Sequence, residues 1–176
     1  IAYLIPELVS PAGDLELSAS VYNCQDQVDV TLRDLDLAGT GSHSVLIITN
    51  AADSELVALA EQPSGSGIFS GLVATSSETV TKQDGYLQVA DGETLTGIYD
   101  DADDGTGSPA TIQASADIDC QAPIISNVST ANHGATWATV SFVTDDVCAS
   151  RIIVGETCGL QTYSAVGGAT TNHEVT

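Results

Sequence analysis

Apolar residues recur at every second position along most of this chain, in short runs broken by clusters of Gly, Asp, Asn, Ser and Pro. A period of two marks half-buried β-strands, and the 3.6-residue period of an amphipathic helix is almost missing. The pattern predicts strands at 14–22, 27–33, 43–50, 54–61, 67–75, 86–90, 94–100 and 109–118. Residues 53–61 alternatively suit one short helix, because Ala and Leu favour it. Seven or eight strands in about a hundred residues predict an all-β sandwich.

A boundary is expected at Cys120-Gln121-Ala122-Pro123. The chain then reads as an arm or linker over 1–13, a sandwich over 14–120 and a second unit over 121–176. In the second unit, runs at 124–130, 136–144 and 149–155 precede a Gly/Thr-rich tail. That is three or four strands, roughly half a sandwich. Such a half is expected to need further sequence or a neighbouring chain to close its core. Residues 1–9 are apolar and read as the last strand of a preceding unit, an extra edge strand or a linker. Ile1 opens without an initiator Met or a signal peptide, so the chain is expected to begin after a processing point or inside a longer protein.

Charge narrows the partners. Lys and Arg number 3 against 24 Asp and Glu, a formal charge of −21, which excludes an ordinary nucleic-acid binder because phosphate neutralisation needs a basic stripe. It also disfavours docking on anionic lipid headgroups. No stretch approaches the roughly 20 apolar residues of a membrane helix. The acidity reads either as a solvated coat or as carboxylates that converge on Ca²⁺. Four Cys with no CxxC pair disfavour zinc, redox and haem attachment, and fit structural disulfides in an oxidising compartment.

Two stretches carry a family likeness. Residues 121–176 resemble the start of a fibronectin type III-like domain of the bacterial surface-protein kind. The matching pieces are Ala122-Pro123-Ile124-Ile125-Ser126-Asn127-Val128, the strand with Trp137, Thr144-Asp145-Asp146, Ile153-Val154-Gly155 and Asn172-His173-Glu174-Val175-Thr176. Residues 14–120 resemble an immunoglobulin-like repeat of large secreted bacterial proteins, some of which carry subtilisin-like protease domains elsewhere. Its marks are Tyr22-Asn23-Cys24, Gly67-Ile68-Phe69-Ser70-Gly71, Leu87-Gln88-Val89-Ala90-Asp91-Gly92 and Tyr99-Asp100-Asp101-Ala102-Asp103-Asp104-Gly105-Thr106-Gly107. The resemblance implies an immunoglobulin-like antiparallel sandwich followed by a partial fibronectin type III-like one, and says almost nothing of activity.

That topology brings the turn after the first strand and the end of the last strand to one pole, which pairs Cys24 with Cys120. A loop of that length is worth roughly 4–5 kcal/mol by chain entropy. Cys148 and Cys158 stay open. A straight strand at 149–155 spans about 20 Å, whereas a disulfide tolerates a Cα separation below about 7 Å. They pair only across a bent strand; otherwise each needs another cysteine, in missing sequence or another subunit. The same topology gathers the loop with Asp34 and Asp36 beside the loop with Asp100, Asp101, Asp103 and Asp104, the candidate Ca²⁺ ligands. The spacing is not an EF-hand, because Gly105 as sixth position puts Ala102 third and Thr111 twelfth. The alternative is a turn-rich tip in which Asp and Gly serve backbone geometry.

Catalytic motifs are missing. His43, His133 and His173 are scattered and read as surface residues, and no nucleophile elbow or phosphate loop is present. Trp137 is expected in the second unit's core. The expected function is non-enzymatic: a structural or adhesive segment of a secreted or cell-surface protein, whose partners are other domains of its polypeptide or neighbouring subunits. The rivals are a filament subunit assembled by strand addition and an accessory domain of a secreted hydrolase.

Overall fold

The computed structural model describes residues 11–155 and 163–176, and their contacts divide the chain into one unit ending at Gln121 and another beginning at Ala122. Among the described residues there is no α-helix, and no helix is long and apolar enough to cross a membrane.

Unit 1 contains β1 (Asp14–Leu17), β2 (Val21–Tyr22), β3 (Gln27–Arg33), β4 (Ser42–Thr49), β5 (Ser54–Glu61), β6 (Ile68–Ser76), β7 (Tyr86–Gln88), β8 (Thr94–Asp101) and β9 (Ala110–Ile118). Their order is β1-β3-β6-β5-β4-β8-β9-β2, with β7 added parallel to β6. Only Ala60–Ser70 and Glu61–Phe69 pair β5 with β6. That short seam is where one layer of the sandwich passes into the other. A Cβ on Gly71, just past it, would sit 2.5 Å from the Ala58 carbonyl oxygen, so the close crossing requires glycine.

The inward period-two positions make the core. Val28, Val30 and Leu32 of β3 and Phe69 of β6 lie with Val45 and Ile47 of β4, Leu59 of β5 and Leu95 of β8, each at most 1% exposed. Burial on that alternation overrides the helix option for 53–61. β5 is a strand with buried and outward positions in strict alternation.

The predicted first strand, 14–22, is in fact two. β1 runs antiparallel to β3, the chain turns at Ser18–Ser20, and β2 runs parallel to β9. The Tyr22 hydroxyl holds the turn, accepting from the Ala19 N–H (2.9 Å) and bonding the Ser18 Oγ (3.1 Å). One strand thus serves both layers, which gives the immunoglobulin-like sandwich. Of the arm assigned to 1–13, only 11–13 are described, and the Gly13 N–H already belongs to unit 1, donating to Asp101 (2.7 Å).

Unit 2 is a three-stranded antiparallel sheet, β10 (Ile125–Ala131), β11 (Thr139–Val154) and β12 (Tyr163–Val175), in that order. The runs expected at 136–144 and 149–155 form one 16-residue strand with register shifts on either side of Cys148. The Gly/Thr-rich tail is its partner strand β12. Gly167 pairs with Ser150 and Val175 with Val140, yet a Cβ on Gly167 would lie 3.1 Å from Val175 Cγ2. The long hairpin therefore folds over on itself at its bulges.

Cys24 and Cys120 form a disulfide across 96 residues of sequence. Cys148 carries a free thiol, and Cys158 lies outside the described residues. Replacing both Cys24 and Cys120 by Ser is expected to remove about 4–5 kcal/mol of unfolding free energy, measured by equilibrium denaturation without reductant.

Candidate functional site

The sequence places its strongest chemical candidates, the acidic loops, around Tyr99 of unit 1. Asp34 is extended (φ −152°, ψ 115°) and caps a 3-10 turn over Leu35–Leu37, its Oδ1 accepting from the Asp36 N–H at 2.8 Å. Its Oδ2 accepts the Tyr99 hydroxyl proton. Burial, with the Asp34 carboxylate as acceptor, pushes the Tyr99 hydroxyl well above the ordinary phenol range. His43 packs edge-on against the Tyr99 ring, centroids 5.4 Å apart, so this histidine is half-buried rather than a surface residue. A Cβ on Gly13 would meet Tyr99 Cε1 at 2.7 Å, and this glycine lets the entering chain lie on the ring.

The six candidate ligands do share a pole, but not a centre. Asp101, 2% exposed, accepts from the N–H groups of Gly13 and Asp103 (2.7 and 3.0 Å). Asp103 Oδ1 accepts from Gly105 and Gly107 (3.0 and 2.7 Å), and Asp104 Oδ1 from both the N–H and the hydroxyl of Thr106. Those bonds, the hydroxyl first, hold the Asp104 carboxyl below its ordinary value. Asp100 accepts from the Thr111 hydroxyl at 3.0 Å, on the outside of the sheet. A Ca²⁺ centre needs six to eight oxygens aimed at one point. Here Asp34, Asp101, Asp103 and Asp104 each accept from backbone N–H groups, and among the described residues no three His, Cys, Asp or Glu side chains gather into a metal-ligating group.

The same use of carboxylates recurs where sequence reasoning did not look. Glu61, 8% exposed, ends β5 among three glycine N–H donors: Gly39 (2.9 Å), Gly41 (3.2 Å) and Gly67 (2.9 Å). These bonds, that from Gly39 largest, lower its pKa to about 2 from an ordinary 4.5. Gly67 itself has φ +69°, and a Cβ there would lie 2.5 Å from the Asp34 carbonyl oxygen. At the other end of β5, Glu55 accepts from Asp84 and Gly85, both at 3.0 Å, while Asp53 accepts from Ser54 and Gln88, both at 2.7 Å. Asp91 receives the Cys120 N–H (2.8 Å) and the Gln121 side-chain amide (3.0 Å), and both lower its pKa. One signal was legible: Glu55 and Glu61 share the inward period-two face of β5 with Val57 and Leu59.

Unit 2 departs from expectation at two residues. Trp137 is 53% exposed rather than a core residue, and beside it lies an open depression of about 520 Å³ lined by Val140, Ile152, Val154, Ala165 and Val175. His173, expected at the surface, is 3% exposed because its register opposite Phe142 turns it inward, where the two rings stack at 4.6 Å. Its Nε2 lies 2.9 Å from the Thr144 hydroxyl and 3.8 Å from Cys148 Sγ. That hydroxyl donates to the Asp146 carbonyl, so it accepts from Nε2–H, and Nδ1 is a buried lone pair without a partner.

No protein-family model and no curated protein matches the chain.

Two outcomes test the carboxylate bonding. The Glu61 contribution is complete above its unfolded pKa of 4.5 and is lost as pH falls through about 2. Glu61→Gln is therefore expected to lower the melting temperature at neutral pH and to flatten its fall over that acid range, measured by circular dichroism. Melting in millimolar calcium and in chelator is expected to give the same midpoint, since Asp34, Asp101, Asp103 and Asp104 already accept from backbone N–H groups.

Proposed function

We propose that the chain is a non-catalytic structural or adhesive segment of a secreted or cell-surface bacterial protein, a mechanically protected spacer. The carrying observation is the Cys24–Cys120 disulfide, which ties the chain just after β2 to the chain just after β9. Tension drawn along the polypeptide enters at Cys24 and leaves at Cys120 through the sulfurs, so the strands between them bear none of it. A thiol bridge of this kind persists in oxidising compartments, compatible with an extracellular location. The polar interior supports the same reading: Asp34, Asp53, Glu55, Glu61 and Asp101 are all buried, and all hold backbone donors of unit 1. Groups spent in this way serve rigidity.

A second reading, a filament subunit completed by strand addition, draws on unit 2. There β10 is exposed along its whole length, with Ile125 and Val128 open at 60% and 64%.

Single-molecule pulling on the whole chain tests the spacer. Reduction is expected to lengthen the fully extended molecule by the 96-residue loop, about 330 Å at ~3.4 Å per residue. Equal lengths with and without reductant would end the proposal.

A further inference from the structure

The connection between β6 and β7, residues 77–85, belongs to no strand and faces solvent at every position. Four of its N–H groups tether it to the strands. Thr81 donates to the side-chain carbonyl of Gln88 (2.9 Å) and Gln83 to the Ser54 carbonyl (3.2 Å), while Asp84 and Gly85 both donate to Glu55 (3.0 Å). Glu55 is 4% exposed, so its carboxylate holds the segment from inside unit 1.

Lys82 stands in this segment, in a chain with only 3 Lys and Arg. The other two lie in paired strands. Arg33 of β3 stands opposite both Asp14 of β1 and Ile68 of β6, and its guanidinium is held by Asp14 and Glu16. Arg151 of β11 stands opposite Val166 of β12. A protease that cuts after Lys or Arg takes its substrate as an extended strand. Gln83 has φ +57°, a left-handed turn, so the Lys82–Gln83 bond enters such a cleft only after the segment opens. Opening it breaks the four tethers and frees no strand, whereas opening Arg33 breaks the pairing of β3 with both neighbours. We propose that Lys82–Gln83 is the bond at which a trypsin-like protease cuts unit 1, with Glu55 as the latch that sets the rate.

In the cut, water gives its hydroxyl to the Lys82 carbonyl carbon and its proton to the Gln83 nitrogen as the bond between them breaks. The break falls between Cys24 and Cys120, so sulfur still joins the two pieces. On the spacer reading, on which this consequence rests, the load path runs through that disulfide and bypasses the cut. A nicked spacer still carries tension.

Limited digestion of the whole chain with trypsin, followed by mass spectrometry with and without reductant, tests this. Unit 1 is expected to stay one covalent species until reductant parts it between Lys82 and Gln83. Lys82→Gln is expected to leave unit 1 uncut over the same time, with a melting temperature within a few degrees of the parent. Because cleavage follows the population of the open segment, Glu55→Gln is expected to speed the cut about tenfold or more through loss of a charge-assisted bond, while Arg33 stays uncut. No cut at Lys82 overturns the proposal, and so does cutting at Arg33 as fast as at Lys82, the sign of global unfolding. A Glu55→Gln chain cut no faster than its parent overturns the latch. Pieces that part without reductant uphold the cut site but remove the disulfide, and with it the spacer.

Discussion

A sandwich whose strands are joined by glycine-rich loops leaves many backbone N–H groups without a partner strand. Each one buried without an acceptor costs about 1–3 kcal/mol. In unit 1, carboxylates meet that demand. Glu61 takes the N–H groups of Gly39, Gly41 and Gly67, Asp101 takes those of Gly13 and Asp103, and Glu55 those of Asp84 and Gly85. An ionised carboxylate accepts several such bonds at once and makes each stronger than a neutral acceptor would. The rest of the fold follows, because the loops at both ends of β5 are set by residues that end or flank that strand. The acidity of the chain is therefore partly structural, and only the remainder is a solvated coat.

The disulfide and the carboxylates act on the same places. Cys120 gives its N–H to Asp91, so the last residues of unit 1 are fixed both by sulfur and by a charged acceptor. At the opposite pole Asp34 caps its turn, accepts from Tyr99 and lies under Gly67, joining three segments far apart in sequence. Both poles are closed by groups engaged in hydrogen bonds or the disulfide of the fold itself. Unit 2 has a different interior, with His173 Nδ1 and Ser150 Oγ buried and lacking partners among the described residues.

Much of unit 1 was legible because it obeys a period of two. The strands at 27–33 and 54–61 stand where alternation put them, and pole-sharing in an immunoglobulin-like sandwich pairs Cys24 with Cys120. Local pattern failed where the partner strand decides. Ser18–Ser20 break the first strand because two layers compete for it, and Gly and Thr in 163–175 give no strand signal until β11 supplies a register. His173 is turned inward by its register opposite Phe142, whereas Trp137 stands in the loop before β11, outside any register. Burial belongs to the side a register turns inward, and composition does not carry it.

The acidic loops divide most clearly into what each level determined. By itself the sequence determined that this chain is all-β, strongly acidic and rich in Asp and Gly at its turns, since these are properties of local period and composition. Which backbone donors those carboxylates meet was decided only in three dimensions. The donors that Glu61 receives come from 22, 20 and 6 residues away, and no local rule links them.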